Sequence, residues 1–229
     1  MLEVKVDPLS KVFLLQNDCC LIDKKNTLAK TTESENGLKL KLFEENEDET
    51  LWIQCVTKRD DCGLIGCECK NNYDCQKAVD FCYIYFSVAN DSAVCHLYDI
   101  KKTVAKVDVI KHLVEQWCNS IRYAKSVCAY YNTNIQSLFL GVVTELFDEE
   151  CIRRTIAEYV SLEGNVEGSR VPSMVKNNMK KNFRYIPRMR SILELFVQKK
   201  MSLDSEIYDF RCFNCENKEY HMIFTNGIL

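Results

Sequence analysis

Residues 110–131 read I-K-H-L-V-E-Q-W-C-N-S-I-R-Y-A-K-S-V-C-A-Y-Y, and here the hydrophobic period of the chain changes. Ile110, Leu113, Val114, Trp117, Ile121, Ala124, Cys128 and Tyr131 recur mostly at steps of three and four. That spacing draws one apolar stripe along a helix of several turns. Asp108 stands where an acidic side chain helps to cap the helix start. On the N-terminal side of this stretch apolar residues alternate with polar ones; on the C-terminal side helical spacing prevails. The switch makes the chain an α+β protein with its strands first.

The strands expected upstream are 11–17, 19–24, 38–44, 51–57, 64–70, 81–88 and 94–100. Alternation is clearest at Leu38, Leu40 and Leu42, which have lysines between them. Polar stretches at 25–37, 45–50, 71–78 and 89–92 read as turns and solvated loops. Connections this short favour antiparallel pairing, since parallel strands need long crossovers. Downstream, helices are expected at about 134–147, at 149–162 after Asp148, and at 172–183 and 188–201 on either side of Pro187. Period two returns in Tyr208, Phe210, Cys212 and in Tyr220, Met222, Phe224, a C-terminal hairpin around N-C-E-N-K. Residues 1–131 then form a β-rich domain closed by a long helix. Residues 132–229 form a helical region with a terminal hairpin, able to pack on the first as one unit. About seven antiparallel strands followed by one helix resembles the element order of the pleckstrin-homology-like superfold. That resemblance covers roughly residues 1–130 and implies nothing about activity.

The chain has 229 residues, 47% hydrophobic and 28% charged, with 7 Gly and 3 Pro. This is a globular composition without long flexible linkers. No apolar run approaches the ~20 residues of a membrane span, and the N-terminus lacks a signal-peptide core. A cytoplasmic or nuclear location is expected. Its 14 cysteines read as reduced thiols used as small hydrophobes, because a chain of this length builds a core without disulfides. The net charge is −3, unevenly spread. Between residues 170 and 200 stand Arg170, Lys176, Lys180, Lys181, Arg184, Arg188, Arg190, Lys199 and Lys200 against the single acid Glu194. An acidic partner, or docking of one half of the molecule on the other, follows from such an asymmetry.

C-G-L-I-G-C-E-C-K, residues 62–70, holds the densest chemistry in the chain. On a strand, Ile65, Cys67 and Cys69 share one face, and Glu68 and Lys70 the other. The plain reading puts the cysteines in the core and the charges in water. A second reading starts from Asp61, six intervening residues, then Glu68-Cys69-Lys70, which resembles the PD-(D/E)xK pattern of metal-dependent nucleases. The resemblance implies two carboxylates holding Mg²⁺ and a lysine beside the scissile phosphate. In that superfamily a helix usually joins the Glu-x-Lys strand to the next strand; only 72–80 is available for it here. A third reading gathers Cys62, Cys67, Cys69 and Cys75 around zinc, at spacings unlike paired C-x-x-C knuckles. Cys212-Phe213-Asn214-Cys215 is a true C-x-x-C, and with His221 it supplies three of the four ligands a structural zinc needs.

The basic segment interleaves Phe183, Tyr185, Met189 and Phe196 with cations, a mixture suited to single-stranded nucleic acid. A solvated basic helix face with its aromatics in the core explains the same pattern. No phosphate cradle and no strong catalytic signature is present. The leading expectation is a non-catalytic subunit that docks an acidic protein partner through Lys176, Lys180, Lys181, Arg184, Arg188 and Arg190. The alternatives are a Mg²⁺-dependent nuclease using Asp61, Glu68 and Lys70, and nucleic-acid binding without chemistry through residues 170–200.

Overall fold

The computed structural model describes residues 20–22, 31–35, 38–45, 51–54, 79–87, 92–130, 132–168, 186–215 and 218–225. The expected strands 11–17 and 64–70, the expected helix 172–183 and the whole 62–70 stretch lie outside the described residues.

The strands are β1 (Cys20–Ile22), β2 (Thr31–Glu35), β3 (Leu38–Glu45), β4 (Leu51–Gln54), β5 (Phe81–Ser87) and β6 (Ser92–Val104), then β7 (Asn134–Phe147), β8 (Lys200–Leu203), β9 (Glu206–Asn214) and β10 (Glu219–Thr225). The helices are α1 (Val107–Tyr130), α2 (Glu149–Gly168) and a helical run over 186–197, here α3. The α+β expectation holds. A seven-stranded sheet runs in the order β1-β4-β5-β6-β7-β9-β8, and a three-stranded sheet in the order β10-β3-β2.

Strands β1, β4, β5 and β6 pair antiparallel, and of these pairs only β5–β6 is joined by the short connection that predicts it. The pairing then turns parallel at β6–β7 and again at β7–β9. A parallel pair needs a crossover, and α1 supplies the one between β6 and β7. Its apolar stripe is the one read from the sequence: Ile110, Leu113, Trp117, Ile121, Ala124 and Cys128 are all buried. Asn132 ends the helix with a left-handed φ of 52°, and the Thr133 amide bonds back to the Cys128 carbonyl at 2.9 Å.

Four expectations are corrected. Residues 134–147 are strand β7, not a helix. Their apolar run is buried in mid-sheet, and such a run carries no period that separates helix from strand. Parallel pairing replaces the all-antiparallel, pleckstrin-homology-like order. Thr31–Glu35, read as loop, pairs with β3. The terminal hairpin joins β8 to β9 through Asp204 and Ser205, while β10 leaves to pair with β3 in the other sheet. One further boundary moves: helix 188–201 ends at 197, and Lys200 already belongs to β8. The predicted cap of α2 is present, with the Cys151 amide donating to Asp148 Oδ1 at 2.9 Å.

The large sheet is buried on both faces. One face packs Cys82, Ile84, Cys95 and Leu97 against α1 and α3, around Trp117, Phe196 and Phe210. The other packs Phe81, Tyr83, Tyr98 and Ile100 against Leu38 and Met222 of the small sheet. The molecule is layered as helices, large sheet and small sheet, so β5 and β6 lie under cover on both sides.

Candidate active site

Strand β6 alternates strictly between the two faces. Ala93, Cys95 and Leu97 point to the helices; Val94, Tyr98 and Ile100 point to the small sheet. Asp99 and Lys101 continue the first series, so a carboxylate and an ammonium fall on the face that α1 covers. In the β5–β6 register Phe81 is opposite Tyr98, and one step further sets Asp80 opposite Asp99. Two acids far apart in sequence thereby become neighbours at one end of one strand pair.

The contacts are direct. Asp80 Oδ2 accepts the backbone N–H of Ile100 at 2.9 Å and lies 3.9 Å from Lys101 Nζ. Lys101 donates to Asp99 Oδ1 and reaches the Ile100 carbonyl at 3.3 Å. Asp99 is fully buried, and its Oδ2 has no hydrogen-bond partner. The Asp80 and Lys101 side chains keep 6% and 11% exposure, so all three members of the group are largely buried. Burial pushes the Asp99 carboxyl well above the usual carboxylate range; the Asp80 charge adds to the rise, and Lys101 opposes it.

Helix α1 bonds to the residue beside Asp80. It runs back along β6 from its start near Val104. Asp99 is five strand residues from that end, or ~16 Å at ~3.3 Å each, a distance the helix covers in ~11 residues at ~1.5 Å. That count lands between Gln116 and Ser120. Both are buried polar residues on an otherwise apolar helix face. Ser120 Oγ accepts the Val79 backbone N–H at 3.0 Å and so pins the residue next to Asp80.

Two carboxylates facing one ammonium leave an excess negative charge in a site that excludes water. Such a charge is costly there unless it is protonated or met by a cation. A proton held between the Asp99 and Asp80 carboxyls answers that cost, and a hard cation in its place would answer it too. Magnesium commonly uses one or two carboxylates, and the two acids here match that number. No group of three or more His, Cys, Asp and Glu gathers among the described residues, and this centre has two.

The sites read from the sequence fall elsewhere. Asp61, Glu68 and Lys70, and likewise Lys176, Lys180, Lys181 and Arg184, lie outside the described residues. Arg188 is exposed on α3, and Arg190 pairs with Glu194 one turn on, at 3.2 Å. Met189 and Phe196 are buried, so neither is available to stack on a base. Cys212 packs on the helix side of the large sheet and Cys215 on the opposite side, so the two sulfurs do not converge. Burial pushes the Cys212 thiol up to about 11. The side chain of His221 lies outside the described set. Cys82, Cys95, Cys118, Cys128, Cys151, Cys212 and Cys215 are thiols, buried or half-buried. No described helix is long and apolar enough to cross a membrane.

The chain holds a second acid-x-lysine string besides Glu68-Cys69-Lys70, one that the sequence does not mark out. Asp99-Ile100-Lys101 stands toward the end of β6, shortly before the apolar stripe of α1. Comparison with known protein families, curated proteins and solved structures finds no match to the chain.

Proposed function

We propose that the protein is a Mg²⁺-dependent phosphodiesterase acting on nucleic acid, with Asp80, Asp99 and Lys101 as its reacting group. The observation that carries this reading is the convergence of Asp80 with Asp99-Ile100-Lys101 on neighbouring strands. That is the PD-(D/E)xK pattern with aspartate in its second position and Val79 in place of the proline. It also has the helix that 61–70 lacks room for: β6 leads into α1, and α1 into β7.

Asp80 and Asp99 would hold the metal ion. A Mg²⁺ ion so held supplies Lewis-acid polarisation of a phosphoryl oxygen and a nucleophilic hydroxide near neutral pH. The protein's own residues do the rest. The Ile100 amide fixes Asp80 through its Oδ2. Lys101 keeps a compact positive charge beside both acids, where it stabilises charge that develops on the phosphoryl oxygens. Buried walls exclude bulk water and strengthen each of these interactions.

The test is incubation of the purified chain with single- and double-stranded DNA and RNA in Mg²⁺ or Mn²⁺. Cleavage is expected in the wild type and lost in Asp99→Asn and Lys101→Met. A wild type that cuts no substrate in Mn²⁺ overturns the proposal, as does an Asp99→Asn variant that cuts normally.

A second reading, docking of an acidic partner, is favoured by the position of Arg188 beside a groove between two helices.

A further inference from the structure

Helices α1 and α3 run side by side over the large sheet without closing fully on each other. Between them lies a groove of about 1050 Å³, which β8 also lines. One wall is the α1 row Lys111, Val114, Glu115, Cys118 and Arg122; the other is the α3 row Arg188, Ser191, Ile192 and Leu195. Both rows recur at i, i+3, i+4 and i+7, so each is a single helical stripe facing the gap. Val114, Cys118, Ile192 and Leu195 are half-buried, and the floor is apolar, formed by Met189, Met201 and Leu203.

The charges around this groove are unequal. Lys111 is matched by Glu115 at 3.9 Å, and Arg122 by Asp204 at 3.2 Å. Arg188 and Lys200 also line the groove; Arg188 is exposed on α3, and Lys200 has Asp209 opposite it in the β8–β9 register. The groove therefore has an apolar floor, flexible methionines and a surplus of positive charge at the rim. We infer that it receives an amphipathic, acidic helix from a protein partner.

Chemistry selects that occupant. Apolar side chains at steps of three and four on a partner helix match half-buried apolar rows at the same steps. Methionine adapts its shape to such anchors. Acidic residues flanking the anchors meet Arg188 and Lys200. A nucleic-acid backbone fits less well, because Glu115 and Asp204 also line the groove and would face its phosphates. The chain's own stretch just before α3 carries Arg170, Lys176, Lys180, Lys181 and Arg184 and no acid, so charge disfavours it as occupant. The groove is separate from the carboxylate centre: Val114, Cys118 and Arg122 of α1 line it, and Asp80, Asp99 and Lys101 do not.

The experiment titrates the full chain into a fluorescein-labelled peptide about five helical turns long. The peptide has Leu at i, i+3, i+4 and i+7 and Glu on the flanks, and binding is read by anisotropy. A control peptide carries Lys in place of Glu. The acidic peptide is expected to bind and the control not to. Arg188→Glu with Lys200→Glu should weaken the acidic peptide by about tenfold and strengthen the control. Ile192→Gln should weaken the acidic peptide without letting the control bind, with melting curves showing that each variant is folded. Equal affinity for the two peptides, or unchanged binding by the double variant, overturns the inference. Displacement of the peptide by a mixed-sequence oligonucleotide at lower concentration than unlabelled peptide also overturns it, and assigns the groove to nucleic acid. None of these readouts depends on cleavage, so the result is independent of the metal reading.

Discussion

Asp80 Oδ2 accepts the backbone N–H of Ile100 at 2.9 Å, a bond spanning 20 residues of chain. It ties the first acid of the centre to the backbone that carries the other two members, Asp99 and Lys101. The geometry of the group is thus set by strand pairing and not by flexible side chains alone, as a preorganised site requires.

Asp99 makes stability depend on pH in a specific direction. Its folded pKa lies above its unfolded value of about 4. Between the two, the folded state holds a proton that the unfolded state has lost, so this contribution to stability falls as pH rises through that window. Asp99→Asn removes the fall. Urea denaturation of wild type and variant from pH 4 to pH 8 should show a decline that only the wild type possesses. Mg²⁺ competes with that proton, so its gain in melting temperature should be larger at pH 8 than at pH 5.

Lys101→Met leaves two facing carboxylates without their ammonium. Removing one member of a buried charge group costs about 3–5 kcal/mol, and the variant should lose that much at pH 7. Acidification should restore part of it by protonating a carboxylate. Mn²⁺ should restore part of it at pH 7, because the ion replaces the missing positive charge. Chemical denaturation with and without Mn²⁺ reads both effects.

Gly141 sits in mid-strand on β7, facing the small sheet. A Cβ there would lie 2.6 Å from Tyr98 Cδ1 and 2.6 Å from Phe213 Cε2. Those two rings already pack edge to face, with centroids 5.6 Å apart. Gly141→Ala must push them apart, and overpacking of this kind costs about 1–3 kcal/mol. A lowered urea midpoint with an unchanged slope is the expected result.

The β8–β9 turn holds Asp204 and Ser205 at φ of 50° and 71°. Two positive φ values define a turn that suits an Asn-Gly pair. The double substitution Asp204→Asn with Ser205→Gly should raise stability by about 0.5–1 kcal/mol despite the lost Arg122–Asp204 pair, since exposed pairs contribute little. Thermal melts of the two chains measure it.

The α1 stripe, strands β3 to β6 and the Asp148 cap were legible in the sequence because each rests on local periodicity or a local bond. The 134–147 strand was not. Ile135, Leu138, Phe139, Val142 and Val143 satisfy a helical face, and only parallel pairing with β6 makes them a strand. The β9–β10 hairpin misled for the same reason, since two alternating segments near a turn do not say which neighbour each will pair with. At the candidate site, Asp99-Ile100-Lys101 was visible as a string but carried no weight without Asp80, which stands a whole strand earlier.

The sequence by itself determined the mixed class, the long amphipathic helix, the absence of an apolar run long enough to span a membrane, and the charge imbalance of 170–200. Composition and nearest-neighbour spacing suffice for those, because they depend on residues within a few turns of one another. Only the tertiary structure decided the parallel centre of the sheet, the opposite faces of Cys212 and Cys215, and the meeting of Asp80 with Asp99 and Lys101. Each of these depends on strand register, and register places residues far apart in the chain on one face through hydrogen bonds that no local pattern encodes.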